Sequence, residues 1–180
     1  LGTQPGSGQY PEPKRQVYVR FELPTEQIKY VKDGVEITGP MSIGKTFTAS
    51  MSEKANLRKF IESWFSKRFP TDAAAADFDH ATLLGRKCLL DVAHNEKGDK
   101  TYANISAATP IPKGMVADYQ QHNGSLFFDL EKPDAETFNR LPEWLQKKIN
   151  ERIEDKPPKS AESEYLGSGN KPDFDDDIPF

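Results

Sequence analysis

The sequence predicts a mainly β domain that also contains helices, and three patterns indicate this fold class. Residues 16–23 alternate apolar and polar side chains with a period of two, which is typical of a half-buried strand. Residues 86–94 and 101–109 are strand-like runs joined by the polar, glycine-containing segment 95–100, which predicts a hairpin. Residues 52–65 carry apolar side chains at spacings of three and four, as an amphipathic helix does.

The elements before this helix follow in order. Residues 1–14 are rich in Gly, Pro and Gln and predict a loop or flexible arm. The first strand is expected to end at Pro24, because proline cannot donate to a sheet ladder. Residues 33–39 are a candidate short strand that begins at a turn, and residues 42–51 are a stronger one.

Ser52 is the expected N-cap of the amphipathic helix, and Pro70 stops it. A second short helix is expected over about 72–84. Four basic side chains fall outside the apolar stripe, and for them we favour a solubilising role over phosphate contact: Arg58, Lys59, Lys67 and Arg68.

The pattern weakens after Gly114. Residues 125–130 are a candidate strand, and residues 134–153 predict one or two short helices. The chain from residue 156 onward is rich in Pro, Ser and Gly. It cannot bury enough apolar area to offset its ordering entropy, so we expect it to be disordered.

A helix between strands 3 and 4 of a five-stranded barrel is the OB-fold arrangement. The count reaches five only if the 33–39 strand forms or if a strand precedes Leu1; the alternative is a general α+β sandwich. Because the chain begins with Leu1 rather than Met, we expect it to be processed or a fragment. The expected units are an arm (1–14), an OB-fold domain (15–116), a C-terminal extension (117–155), a disordered linker (156–172) and an acidic tip (173–180).

Composition limits the function classes. Hydrophobic residues make up 36% of the chain, below the usual share of about 45–50%. A membrane-spanning helix needs a run of about 18 or more apolar residues, and the sequence has no such run. We therefore expect no membrane partner. The single cysteine, Cys88, excludes an intramolecular disulfide framework and favours a reducing compartment.

The net charge of −4 conceals a gradient along the chain. Residues 1–116 hold 16 Lys and Arg against 13 Asp and Glu, which gives +3, whereas residues 157–180 hold two against six, which gives −4. A basic body with an acidic end is compatible with nucleic-acid binding, since a tail need not occupy the binding face.

Catalysis is poorly supported, and we expect neither a cofactor nor a metal. The three histidines are scattered and show no ligand-like spacing to Cys88. Asp77, Asp79 and His80 suggest nuclease metal chemistry, but an acidic helix start explains them more simply.

The final eight residues mix acidic and apolar side chains: Asp173, Phe174, Asp175, Asp176, Asp177, Ile178, Pro179 and Phe180. Most charge runs are only solvated, but a solvating tail does not need Phe174, Ile178 and Phe180. Phe180 combines a phenyl ring with the α-carboxylate. A partner can bind such an end with an apolar pocket and a basic residue.

This segment, DFDDDIPF, resembles the C-terminal tip of bacterial single-stranded DNA-binding proteins at every position. The body lacks the landmarks of the usual homotetrameric bacterial protein. Its segments SEKANLRKFIESWF (52–65) and LLGRKCLLDVAHNEKGDKTYANISAATPIPKG (83–114) resemble phage and prophage proteins described as single-stranded DNA-binding or uncharacterised, in which a strand precedes the position of Leu1.

The two resemblances imply an OB-fold body that binds single-stranded DNA without reading sequence. They imply a role in DNA replication, recombination and repair in the cytoplasm of a bacterial host cell. The tip would recruit host replication, recombination and repair proteins. Whether the protein forms a homo-oligomer is left open by the sequence.

Single-strand binding needs a positive groove and exposed aromatic rings on which bases stack. Candidate side chains combine both on the same predicted elements: Tyr18, Arg20, Lys45, Phe47, Arg86, Lys87, Lys97, Lys100, Tyr102 and Lys113. Tyr18 and Tyr102 fit an ordinary sheet position equally well, and Phe47 fits a core position better. The alternative function is a protein interaction module whose tip imitates the host protein; an enzyme is the third hypothesis.

Overall fold

The structure is a computed structural model that describes residues 1–8, 11–32, 34–115 and 119–155 of the 180-residue chain. Five strands in these residues form two antiparallel sheets. The first sheet has the order β1-β2-β3, and the second pairs β4 with β5. The strands are β1 (Gly2–Gln4), β2 (Lys14–Lys32), β3 (Val35–Thr48), β4 (Leu89–Lys97) and β5 (Lys100–Thr109).

In the described part of the chain, four α-helices accompany the sheets: α1 (Asn56–Phe65), α2 (Asp72–Ala76), α3 (Ala135–Arg140) and α4 (Glu143–Asn150). Short 3₁₀ turns occupy His80–Leu83 and Ile153–Asp155. Helix α1 lies between β3 and β4 in chain order, as the sequence predicts. In the described ranges, no helix has the length and apolar character needed to cross a bilayer.

The predicted combination of sheet and helix is confirmed, but the described residues do not form a closed barrel. Strands β3 and β5 approach each other without a hydrogen-bonded ladder. Instead, the Lys45 Nζ donates to the carbonyl oxygen of Ile105 across the gap. Within the described residues, one edge of β3 therefore has no partner strand, whereas a closed barrel has no free edge.

The strand boundaries correct several predictions. Residues 2–4 form β1 rather than part of a flexible arm, and they pair with residues 14–16 of β2. Strand β2 continues past Pro24. Its pairing with β3 is interrupted after Leu23 and resumes at Gln27 in a shifted register. A bulge leaves the proline without a ladder partner, which removes the reason for the strand to end there.

Other predicted elements also changed. The two candidate strands 33–39 and 42–51 belong to one strand, β3. The expected helix over 72–84 is split into α2 and a 3₁₀ turn, and residues 125–130 are not a strand. Residues 134–153, predicted to form one or two short helices, form two, α3 and α4.

The core lies between the inner face of the sheets and α1. The side chains of Phe21 and Trp64 contact with ring centroids 5.2 Å apart, and those of Phe47 and Phe60 with centroids 4.9 Å apart. Aromatic pairs at such distances add stability beyond the burial of their area. The other buried members of this cluster are Leu57, Ile61, Leu83, Ile105 and Ala108.

Arg58 does not lie on an exposed basic edge, as predicted, but is buried on α1 with 6% of its surface exposed. Its guanidinium donates to the Glu62 carboxylate at 3.0 Å, to Asp72 and to the Met51 carbonyl. Burial raises the pKa of Glu62, but the Phe69 amide and Arg58 outweigh it and hold that pKa below its usual value. This network ties α1 to the start of α2.

Residues 119–155 pack on the opposite, outer face of the first sheet. The Trp144 ring lies 5.2 Å from the Tyr18 ring, and Leu145 and Ile149 of α4 are buried. The Glu22 carboxylate accepts hydrogen bonds from the backbone amides of His122 and Asn123 at 2.6 and 2.9 Å. The C-terminal extension is therefore a second layer over β1 and β2.

The same layer reaches the N-terminal strand. The Thr3 amide donates to the Glu154 carboxylate at 2.7 Å, and the Gln4 side-chain amide donates to the Lys148 carbonyl at 3.1 Å. Arg15 forms an ion pair with Glu131 at 3.2 Å. These contacts order β1, which the composition of residues 1–14 did not indicate.

Replacing Trp64 by alanine should lower the free energy of unfolding by about 3–5 kcal/mol, because the change leaves a cavity between α1 and β2. Urea unfolding followed by circular dichroism measures it. Val31→Ala is the matched control, since Val31 is 70% exposed, and it should change the value by less than about 0.5 kcal/mol. Equal losses in the two variants would contradict this packing.

Acid should weaken the outer layer through Glu22. Burial raises the pKa of this carboxyl, but the His122 and Asn123 amides outweigh it and hold the pKa below 4.5. Its stabilising effect is therefore present above pH 4.5 and is lost as pH falls through the lowered pKa. Glu22→Gln should be less stable at pH 7, and its urea midpoint should fall less between pH 7 and pH 4.

Glu26→Gln is the control for this prediction, because Glu26 is an exposed carboxylate of the same strand. It should keep the pH dependence of the unchanged protein. An identical pH dependence in the Glu22→Gln variant would show that the contact with His122 and Asn123 contributes nothing to stability.

Candidate nucleic-acid interface

An open groove of about 770 Å³ lies between the free edge of β3, the start of α1 and β5. We call it the lysine groove, because Lys45, Lys54 and Lys59 line it. No Asp or Glu is among the described residues that line it. Hydroxyl side chains make up most of its polar wall: Thr46, Thr48, Ser50, Ser52, Ser63 and Ser106.

The three lysines are held differently. Lys45 lies on the inner face of β3, and its Nζ is 5.4 Å from the Phe47 centroid and 5.7 Å from the Phe60 centroid. Lys54 belongs to the turn before α1, and Lys59 lies in the first turns of α1; both are exposed. Neither of these two has a carboxylate within ion-pair distance among the described residues.

The start of α1 adds to the positive potential of the groove. Ala55 occupies the N-cap position, so no side chain caps the helix, and no acidic residue lies in its first turn. Ser52, the predicted N-cap, instead lies before the helix with its hydroxyl 3.2 Å from that of Ser50. Uncapped amides at a helix N-terminus carry partial positive charge, and Ala55 and Asn56 line the groove.

Of the ten predicted contact residues, the structure brings only Lys45 and Phe47 to this groove. Phe47 is 4% exposed and packs against Phe60, so it is a core residue. The prediction that its ring offers a stacking face is wrong, because a buried ring has no face that a base can reach.

Tyr18 and Arg20 lie together on the outer face of β2. The Tyr18 ring is half-buried beneath Trp144, and burial raises its pKa although the charge of Arg20 acts in the opposite direction. The Arg20 Nε donates to the Ser42 hydroxyl at 2.8 Å. Tyr18 is thus less accessible than a stacking role requires, whereas Arg20 is exposed and its guanidinium is held by the Ser42 hydroxyl.

The predicted residues of the β4–β5 hairpin lie at its projecting end, where all residues from 93 to 104 are exposed. Lys97 pairs with Lys100 at the turn, and Tyr102 is 49% exposed. Gly98 occupies this turn with φ of 61°, a conformation that glycine adopts without strain. The hairpin therefore offers two cations and one ring outside the lysine groove.

The remaining predicted residues lie apart from these groups. The Arg86 guanidinium lies 4.2 Å from the centroid of the Phe65 ring, a cation–π contact. Lys87 and Lys113 are exposed. The acidic tip, residues 173–180, and the linker before it lie outside the described residues.

The structure also places the candidate catalytic groups. The Asp79 carboxylate accepts from the Ala81 amide at 2.9 Å and so caps a 3₁₀ turn. Burial lowers the pKa of His80 and raises that of Cys88 to about 11, which keeps the thiol protonated at neutral pH. In the described part of the chain, no three His, Cys, Asp or Glu side chains converge on a point.

Sequence reasoning missed Lys54, Trp144 and the hydroxyl wall. One signal was present: positions 46, 48, 50 and 52 are Thr, Thr, Ser and Ser, and Lys54 follows at the same spacing. Thr46 and Thr48 lie in β3, and the residues at the same spacing after the strand lie before α1. All five side chains line the groove. Trp144 gave no such signal, since it fits the apolar stripe of a helix.

We compared the chain with models of protein families, with curated proteins and with solved structures, and none of these comparisons found a match. A function for this chain is therefore inferred from the chemistry of its described residues and from its sequence patterns.

Proposed function

We propose that this protein is a non-catalytic, sequence-independent binder of single-stranded DNA whose backbone phosphates lie in the lysine groove. The observation that carries the proposal is the groove lining, which combines three lysines, six hydroxyls and no carboxylate. Such a lining suits a polyanion, and contacts to phosphate carry no sequence information. The position of α1 between β3 and β4 supports an OB-like arrangement that is open between β3 and β5.

The β4–β5 hairpin supplies a second contact region in this proposal. Lys97 and Lys100 attract phosphates, and Tyr102 offers a face for stacking. The acidic tip, with its four aspartates and Phe180, recruits host replication, recombination and repair proteins. The protein thereby covers bare strands and brings enzymes to them.

The test of the groove is a double variant, Lys54→Gln/Lys59→Gln, titrated against a fluorescent dT oligonucleotide at several salt concentrations. Each phosphate contact on a single strand contributes about −0.7 to the slope of log K against log salt. The double variant should bind more weakly at low salt, and its slope should be shallower by about 1.4.

Lys29→Gln/Lys132→Gln is the matched control, because it removes two exposed lysines that do not line the groove. It should keep the slope of the unchanged protein. The same slope in both double variants would place the phosphates elsewhere. A duplex of equal length serves as the reference for strand preference.

Deletion of residues 173–180 tests the tip. The truncated protein should lose binding to host replication and repair proteins in pull-down experiments, because the phenyl ring, the carboxylate and the aspartates are removed together. It should also bind dT more tightly at low salt, since four aspartates no longer compete for the lysine groove. Unchanged affinity at low salt would reject the competition.

One observation favours a second function, that of a protein interaction module imitating the host tail. Along the β2–β3 hairpin, five large apolar side chains are exposed: Ile28, Tyr30, Val31, Val35 and Met41. Exposed apolar side chains in one region are a feature of protein interaction sites. Absence of dT binding at low salt, together with partner binding, would favour this function over the first.

A further inference from the structure

We infer that Trp144 is a stacking platform for a nucleobase of the strand whose phosphates occupy the lysine groove, with Arg20 on the same sheet face as the Tyr18 ring that Trp144 contacts. This inference rests on the proposed function and adds a base-binding position to it. The position lies in the C-terminal extension, outside both the groove and the β4–β5 hairpin.

The ring of Trp144 is accessible. Trp144 is 51% exposed, although it lies on a helix whose neighbouring residues Leu145 and Ile149 are buried. Its contact with Tyr18 is edge-to-face, with ring planes at 86° and centroids 5.2 Å apart. About half of the indole side chain therefore faces solvent, which is unusual for so large an apolar ring and is what a base requires.

The ring is also held in place. Leu145 and Ile149 of α4 are buried, and the Gln146 side-chain amide donates to the Leu141 carbonyl at 2.7 Å just before the helix. The Tyr18 ring supports the indole from below, and Tyr18 itself packs across Gly44 of β3. A ring that is already ordered loses little conformational freedom when a ligand stacks on it.

The platform is continuous with the lysine groove. Thr46 lines the groove, and it lies directly opposite Tyr18 in the β2–β3 register. Directly opposed side chains on one sheet face are neighbours, and Tyr18 contacts Trp144. A strand leaving the groove over β3 therefore reaches the indole after crossing Thr46 and Tyr18.

Charge on this face favours a nucleic acid over an uncharged partner. Arg20 follows Tyr18 on the same face of β2, is exposed, and is oriented by the Ser42 hydroxyl. A guanidinium on the same face as the Tyr18–Trp144 ring pair can contact a phosphate while a base stacks on the indole. This pairing of one cation with one ring matches the repeat of a nucleotide.

Tryptophan fluorescence tests the inference directly, because the chain has two tryptophans and Trp64 is buried with 3% exposure. Addition of dT to the unchanged protein should quench the emission of Trp144. Trp144→Phe should lose the quenching and keep most of the affinity, since a phenyl ring still stacks. Trp144→Ala should bind about 5- to 150-fold more weakly.

The salt dependence separates stacking from charge. Trp144→Ala should keep the slope of log K against log salt, because the indole makes no ionic contact, whereas the groove variants change it. Phe127→Ala is the matched control: Phe127 is 46% exposed in the same extension, and its loss should leave both affinity and quenching unchanged.

Each outcome decides the inference. Binding with the expected salt slope but without quenching overturns the inference alone and leaves the proposed function standing. Quenching that persists in Trp144→Phe also overturns the inference alone, since the quenched emission then does not come from Trp144. Absence of any dT binding overturns the proposed function and this inference together. If Trp144→Ala fails to fold by circular dichroism, the unchanged protein and Trp144→Phe still decide it.

Discussion

The unpaired edge of β3 is the constraint on which the arrangement of this molecule depends. A strand with a free edge leaves amide and carbonyl groups without ladder partners, and proteins usually cover or pair such an edge. Here β5 approaches but does not pair, and the Lys45 ammonium spans the gap to the Ile105 carbonyl. The lysine groove exists because this seam stays open.

Strand β2 connects the two layers of the structure. Its odd-numbered residues, such as Phe21, pack against α1, whereas even-numbered Tyr18 and Glu22 contact the C-terminal extension. A slip of one residue against β3 would exchange these faces and break both sets of contacts at once. The register is therefore determined from two sides, although the strand is only half-buried.

Much of the framework follows from local pattern. Strict alternation identified the two faces of β2, and the spacing of Leu57, Phe60, Ile61 and Trp64 identified the buried side of α1. What could not be predicted depends on partners distant in sequence. Residues 2–4 are a strand because Glu154 and Lys148 contact them, and Arg58 is buried because Asp72 and Glu62 neutralise it.

The candidate site was predictable to a similar degree. Arg20 and the hairpin cations are candidates because cations and aromatics share those elements. Phe47 was a candidate although a core position fits it better, and the structure buries it. Trp144 was missed because a helical stripe of Leu145 and Ile149 accounts for a tryptophan equally well as a core residue. Only the contact of α4 with β2 distinguishes a core position of Trp144 from an exposed one.

The hydrogen bond from Thr3 to Glu154 fixes the position at which the described part of the chain ends. It places the end of the second layer beside β1, and β1, β2 and β3 are adjacent at Gly2, Gln16 and Thr48. Two strand spacings amount to about 10 Å. The described chain therefore ends beside β1, about two strand spacings from Thr48, a residue of the groove wall.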